Sequence, residues 1–251
     1  MASTTILSEA IAQYKEKHGF GALCPRAVLF DMDGVLYDSM PNHAKSWHIS
    51  MAKFGINMSE ADAYRYEGMR GVETIKMIAR EQLHRQLSDS EAQKMYDVKS
   101  GVFATCPTAK IMDSVQELQR LIKAGGLKIV VVTGSGQRSL LAKLIEDFKG
   151  LVEPELVVSS FDVEHGKPNP EPYLKGLEKA GVEPWQAVVV ENAPLGVRAG
   201  VAAQIFTIAV NTGPLPDSSL AGEGASLVFP DMKALADCWP DFMDCTDKRL
   251  L

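Results

Sequence analysis

Short runs of Val, Ile, Leu and Ala recur along this chain, and each ends abruptly in a polar or glycine-rich segment. Ala27–Phe30, Lys128–Val132, Leu156–Val158, Ala187–Val190 and Ile205–Ala209 are too short for buried helices and rich in β-branched residues, so they read as strands. Between the later runs the apolar spacing turns helical, at 112–124, 136–148, 170–180 and 194–202. Strands alternating with helices specify an α/β, Rossmann-like core: a parallel sheet with helices on both faces. One interval breaks the alternation. From Phe30 to Lys128 only helical patterns occur, roughly at 41–54, 59–66, 71–84 and 88–101, far more chain than a crossover needs. The pattern therefore predicts an inserted all-helical domain at 40–107, and a core of residues 23–39 and 108–251. Ile6, Leu7, Ala10, Ile11 and Tyr14 lie at helical spacing before Gly19. Residues 1–22 are thus expected to form a helical extension that packs on the core without a catalytic part.

In open parallel sheets, ligands bind beyond the carboxyl ends of the strands, where the strand order switches. The first such end carries Asp31 and Asp33 before Gly34. Side chains two apart on an extended segment point the same way, and two carboxylates aimed into one space repel unless a cation or proton separates them. One can serve as nucleophile and the other as acid/base, with a metal between them. An Asp-rich turn capping the following segment is the structural alternative. The second end gives Thr133-Gly134-Ser135-Gly136, a hydroxyl followed by a glycine-rich turn whose N–H groups suit an anion, or simply a helix cap. It lacks the spacing of both the Gly-x-Ser-x-Gly elbow and the dinucleotide fingerprint. After the third strand comes Lys167, between Gly166 and Pro168: a fixed cation for a carboxylate and a transferring phosphoryl group, or a solvated loop lysine. The fourth end offers Glu191 and Asn192, hard oxygen ligands suited to Mg2+, or a capping pair before Pro194.

A formal net charge of -6 with no basic block argues against nucleic acid or an anionic membrane as partner. No apolar run approaches membrane-spanning length. Cys24, Cys106, Cys238 and Cys245 form no C-x-x-C pair, and the chain start lacks the pattern of a signal peptide. Reduced thiols and a cytoplasmic location are expected. A monomer is the simpler expectation for an inserted domain that must open and close.

Taken together, Asp31-Met32-Asp33-Gly34-Val35, Thr133-Gly134-Ser135, Gly166-Lys167-Pro168 and Glu191-Asn192 resemble, in order and spacing, the haloacid dehalogenase superfamily of phosphotransferases. The resemblance spans about residues 26–240. The helical insertion looks like the cap of its β-phosphoglucomutase-like subgroup, which His43 and Trp47 also fit. The resemblance implies that Asp31 attacks phosphorus to form an aspartyl phosphate and that Asp33 acts as acid and then base. Mg2+ would be held by Asp31, the Asp33 carbonyl, Glu191 and Asn192, while Thr133, Gly134 and Lys167 would hold the phosphoryl oxygens.

Two positions depart from the family pattern. Glu191-Asn192 stands where Glu-Asp is usual, so one charge is missing from the metal site. In the cap, Glu67 and Gly71 stand where mutase relatives place a lysine and an arginine that grip a second phosphate, although Arg70 is one place away and could compensate. A carboxylate at 67 would repel such a phosphate. These departures join in one expectation: Glu67 swings in with the closed cap and supplies the missing carboxylate to Mg2+. That combination resembles the inorganic pyrophosphatase type within the subgroup. The expected substrate is pyrophosphate or another small phosphate ester, with a phosphoglucomutase, a sugar-phosphate phosphatase or a non-catalytic phosphate-binding protein as alternatives.

Overall fold

The computed structural model describes residues 4–247. Six parallel strands form one sheet: β1 (Ala27–Phe30), β2 (Lys128–Val132), β3 (Val157–Val158), β4 (Ala187–Glu191), β5 (Phe206–Val210) and β6 (Leu227–Phe229). Their order is β3-β2-β1-β4-β5-β6, so the switch in direction falls between β1 and β4. The strands read as unbroken apolar runs because both faces are covered. Along β1, Val28 and Phe30 enter one core and Ala27 and Leu29 the other, the two-residue period of an extended chain.

The first core is closed by α1 (Thr4–His18), α6 (Val115–Ala124), α7 (Arg138–Asp147) and α11 (Met232–Cys245). The second is closed by α8 (Glu171–Ala180) and α9 (Pro194–Ala202). Four helices fill the insertion: α2 (Met40–Ala52), α3 (Glu60–Arg65), α4 (Gly71–Gln82) and α5 (Asp89–Ala104). They bury a core of their own around Trp47, Met51, Ile75, Ile78 and Met95. Serines set two of their starts. Ser59 with Asp62, and Ser88 with Glu91, form reciprocal capping boxes that satisfy the first N–H groups of α3 and α5. A parallel α/β core carrying an all-helical cap is thus the observed architecture.

Three elements lie past the last strand that periodicity marks: α10 (Asp217–Ala221), β6 and α11. Three residues are too few to show a strand period, and Pro240 inside α11 interrupts a helical pattern that tertiary packing nevertheless completes. The second glycine-rich segment also differs from expectation. α7 starts at Arg138, leaving Gly134–Gln137 as a loop over the strand ends, because Ser135 N–H and Gln137 N–H donate to the Thr133 and Ser135 hydroxyls instead of opening a helix.

The N-terminal helix is integral to the first core. Leu7 is fully buried, and the Tyr14 hydroxyl donates to the Gln204 carbonyl at 2.9 Å. Lys15 pairs with Asp247 at 3.2 Å, and Asp247 also accepts the Leu23 N–H, tying α1 to the segment that follows α11. Leu7→Ala is expected to cost about 2–5 kcal/mol. Urea unfolding checks this; a loss near zero would mean that α1 is an ornament.

Candidate active site

Two strand tips deliver their polar residues by continuing the ladder one step past the strand, and β4 ends on its own, Glu191. Asp31 N–H still donates to Val190 O at 3.0 Å, and Thr133 N–H to Val158 O at 2.9 Å. Backbone pairing thus fixes where these side chains emerge. Adjacent β1 and β4 then place Asp31 beside Glu191 at the switch point.

Lys167 sits at the centre. It is 1% exposed, donates to Glu191 Oε1 at 2.7 Å and to Val132 O at 3.1 Å, and contacts Asp31 Oδ1 in a close ion pair. Burial alone would lower its pKa, but the Asp31 and Glu191 charges raise it well above the usual lysine value, so it remains a cation. Glu191 is saturated by the protein. Its Oε1 accepts from Lys167 and from the Tyr173 hydroxyl at 2.8 Å, and its Oε2 from the N–H groups of Asn192 and Ala193 at 2.9 and 3.1 Å.

Two buried oxygens beside this cluster have no partner: Asp31 Oδ2 and Asn192 Oδ1. An orphaned carboxylate oxygen and an orphaned amide oxygen are costly unless something binds them. Gly34, with φ +85°, allows the approach, since a side chain there would collide with the Asn192 amide. Among the described residues no three His, Cys or acidic side chains form a closed metal cage. Mg2+ does not need one, since it keeps several waters and takes one or two carboxylates. The hard-oxygen set of Asp31 and Asn192 fits such a cation.

Asp33 stands apart from that cluster electrically. Burial would raise its pKa, but His43, the Ser39 hydroxyl and Lys99 together hold it below the usual carboxylate value. Ser39 Oγ donates to Asp33 Oδ1 at 2.6 Å, and His43 Nε2 lies 3.3 Å from the same oxygen. Behind His43, the buried Lys99 ammonium reaches His43 Nδ1 at 2.9 Å, which places the imidazole proton on the Nε2 facing Asp33. Burial, aided by the Lys99 charge, holds the His43 pKa down, so the ring faces Asp33 as a neutral imidazole, close to the carboxylate but outside hydrogen-bonding geometry. Lys99 is wrapped by Phe103, Trp47 and Tyr96 at 5.0, 5.2 and 5.9 Å, and burial brings its pKa down to about 8.

The cap brings Glu67 over this floor. Glu67, His43, Trp47, Tyr66, Tyr96 and Lys99 enclose a chamber of about 40 Å³ with Asp33, Gly134 and Gln137. Part of Glu67 remains solvent-accessible, yet its carboxyl faces the chamber. Desolvation there, reinforced by Asp33 and Asp31, pushes it up to about 8. Asp31 is likewise pushed up to about 7, by burial and the neighbouring Glu191 and Asp33 charges, against the pull of Lys167.

Of the residues singled out from sequence, Asp33, Gly134, His43 and Glu67 line one chamber, Asp31, Lys167, Glu191 and Asn192 form a buried cluster beside it, and Thr133 continues the adjoining strand end. The structure directs Arg70 elsewhere: its guanidinium donates to the Glu164 carbonyl at 2.6 Å, outside the chamber. The compensating grip on a second phosphate, open on sequence grounds, does not form here, because the side chain is spent on the core loop. Three residues of the site escaped the sequence reading. Lys99 looks like an ordinary helix-surface lysine, Tyr173 like a core aromatic, and Ser39 like a cap. The one available signal was Tyr96, Lys99 and Phe103 at helical spacing, an aromatic stripe carrying a cation.

The raised carboxyls carry a stability consequence. A carboxyl whose folded pKa exceeds its unfolded value binds extra protons when folded, so its contribution is lost as pH rises through the folded pKa. Between pH 7 and 8 Asp31 and Glu67 lower the stability as they release those extra protons, while Lys99, brought down to about 8, titrates over the same range with the opposite sign; the two carboxyls outweigh the one amine. The melting temperature in chelator should fall from pH 7 to 8, and millimolar Mg2+ should flatten that fall. Thermal scans check both arms; a flat profile in chelator would contradict the crowding of these carboxyls.

The chain matches the family model of haloacid dehalogenase-like hydrolases over residues 25–204. Hexitol phosphatase A of Escherichia coli (strain K12) is 31% identical over 186 residues, covering 74% of this chain and 83% of its own length. The fructose-1-phosphate phosphatase YqaB of the same organism is 27% identical over 186 residues, covering 73% and 95%. A solved structure from Bacteroides vulgatus, provisionally named a beta-phosphoglucomutase, superposes with a TM-score of 0.94 at 46% identity, covering 98% of this chain and 100% of that one. With Asp31 and Glu191 from neighbouring strand ends meeting on one buried lysine, the chain belongs to the haloacid dehalogenase-like hydrolases.

Proposed function

We propose that this protein is a Mg2+-dependent phosphohydrolase working through an aspartyl phosphate on Asp31, with pyrophosphate as its preferred substrate. The observation that carries the chemistry is the pair of orphaned oxygens, Asp31 Oδ2 and Asn192 Oδ1, beside a lysine already neutralised by Glu191.

Asp31 attacks phosphorus in line, and the bond from phosphorus to the leaving oxygen breaks. Asp33, an anion before substrate binds, takes up a proton as the negatively charged substrate arrives and donates it to that oxygen. In the second half, Asp33 takes a proton from water as the water oxygen attacks phosphorus and the Asp31 carboxylate departs. The Ser39–Asp33–His43–Lys99 chain holds this acid/base on the leaving-group side. The Thr133 hydroxyl receives a phosphoryl oxygen and Gly134 leaves room for it, while Lys167, whose three N–H groups are engaged by Asp31, Glu191 and Val132 O, offers the phosphoryl group its charge. Glu191 acts behind Lys167 as its fixed counter-charge, since four donors already occupy both its oxygens. Mg2+, held by Asp31, the Asp33 carbonyl, Asn192 and Glu67, would supply the positive charge that offsets the attacking carboxylate and the phosphoryl oxygens.

Chamber size supports a compact leaving group. About 40 Å³ lies between cap and floor, so a leaving phosphate asks for less opening of the cap than a hexose does. The charge of Glu67 disfavours a second substrate phosphate unless a cation lies between, and metal-chelated pyrophosphate meets that condition. A second reading, hydrolysis of a sugar phosphate, is favoured by the relatives' names, hexitol phosphatase A and fructose-1-phosphate phosphatase. It would require the cap to close less tightly over its substrate.

Glu67→Ala should reduce pyrophosphate hydrolysis by roughly 100-fold while sparing p-nitrophenyl phosphate hydrolysis, and Asp31→Asn should abolish both. Phosphate release by wild type across pyrophosphate, hexose phosphates and hexitol phosphates decides the substrate. A kcat/KM higher for a sugar phosphate than for pyrophosphate would overturn the pyrophosphate reading.

A further inference from the structure

The geometry points to Arg70 as a positioning residue: it registers the closed cap on the core loop 164–166 and thereby seats Glu67 over the catalytic carboxylates. This rests on the reading of Glu67 above for its catalytic consequence, but its structural part stands on contacts alone.

The receiving surface is built in advance. Glu164 N–H and His165 N–H both donate to the Glu171 carboxylate, at 2.7 and 2.9 Å, and Glu171 N–H in turn donates to Asn169 Oδ1 at 2.9 Å. Asn169 N–H closes the loop onto Gly166 O at 3.0 Å. The loop that presents Lys167 therefore also presents a fixed carbonyl, Glu164 O, on its outer side. The Arg70 guanidinium takes that carbonyl at 2.6 Å.

The cap side is equally fixed. Arg70 precedes the first turn of α4, and its carbonyl accepts the Thr74 N–H at 3.0 Å and the Thr74 hydroxyl at 3.3 Å. Its stem and backbone lie on Gly166, where a Cβ would come within 2.7 Å of Arg70 Cγ and 3.0 Å of Arg70 N. Two residues earlier Gly68, with φ +87°, passes over the Lys167 stem, where a Cβ would meet Lys167 Cδ at 2.8 Å. The segment 67–70 thus crosses the core loop at two points. Only two residues, Gly68 and Met69, separate the guanidinium anchor from Glu67, so a shift of the anchor moves the carboxylate. A charge-assisted hydrogen bond to a rigid acceptor is the strong, directional kind suited to setting such a register.

Arg70→Met keeps the stem and removes the donors, Arg70→Lys keeps one cation, and Gly166→Ala obstructs the same contact from the core side. Amide hydrogen exchange of residues 66–72 reads cap registration without any substrate. Pyrophosphate and p-nitrophenyl phosphate turnover against Mg2+ concentration reads the seating of Glu67. Arg70→Met should speed exchange in 66–72 by about tenfold and raise the half-saturating Mg2+ several-fold. Arg70→Lys should recover part of both, and Arg70→Met combined with Gly166→Ala should be less than additive. Unchanged exchange in Arg70→Met would overturn the latch. Faster exchange with unchanged Mg2+ dependence would overturn the positioning of Glu67. If wild type prefers a sugar phosphate, the pyrophosphate reading fails while the exchange result still decides the latch.

Discussion

A buried ammonium between two buried carboxylates is the interaction on which the rest of this molecule depends. Lys167, Asp31 and Glu191 come from a loop and two neighbouring strand ends, and none has room to find water instead. Removing Lys167 leaves two uncompensated interior carboxylates, which costs about 3–5 kcal/mol. Tyr173 and two backbone amides complete the satisfaction of Glu191, so the triad closes except at one point. That point is Asp31 Oδ2, and Asn192 Oδ1 faces the same deficit. The fold therefore holds a nearly neutralised site with a defined gap for positive charge.

A second network runs in parallel and is kept electrically distinct. Asp33 is tuned from the cap side by Ser39, His43 and Lys99, while Asp31 is tuned from the core by Lys167 and Glu191. Two carboxylates two residues apart thus acquire opposite shifts, and these run against the roles of the two groups until cation and substrate bind. Asp31 becomes the anionic nucleophile once a cation meets its Oδ2, and the negative charge of an incoming phosphate lets Asp33 take up the proton it delivers. His43 and Lys99 belong to cap helices α2 and α5, so the Asp33 environment is assembled only with the cap in place. Closure and acid/base competence are linked by construction.

Much of this was legible in the sequence, for a physical reason. A polar residue that ends a run of Val and Ile must surface where the strand ends, and parallel strands all end on the same side. Asp31, Thr133 and Glu191 could therefore be placed together before any coordinates, and Lys167 was flagged by the glycine and prolines around it. The helical insertion was equally plain, since no crossover explains the chain between Phe30 and Lys128. What escaped depends on partners that sequence order does not supply. Lys99 is buried only because Trp47, Tyr96 and Phe103 fold around it, and α11 survives Pro240 only because Trp239 and Phe242 pack into the core. Arg70 could be seen as a cation near the site, but its acceptor is a backbone carbonyl, which leaves no mark in a sequence.

The central claim is that Asp31 carries the phosphoryl group and Asp33 discharges it. Asp33→Asn treated with p-nitrophenyl phosphate isolates that claim, because this leaving group departs without an acid while discharge still needs the base. After rapid acid quench, peptide mass spectrometry should find one phosphoryl group on Asp31, formed within a turnover and stable far longer than in wild type. A phosphoryl group on any other residue, or none while nitrophenolate is released, would contradict the account.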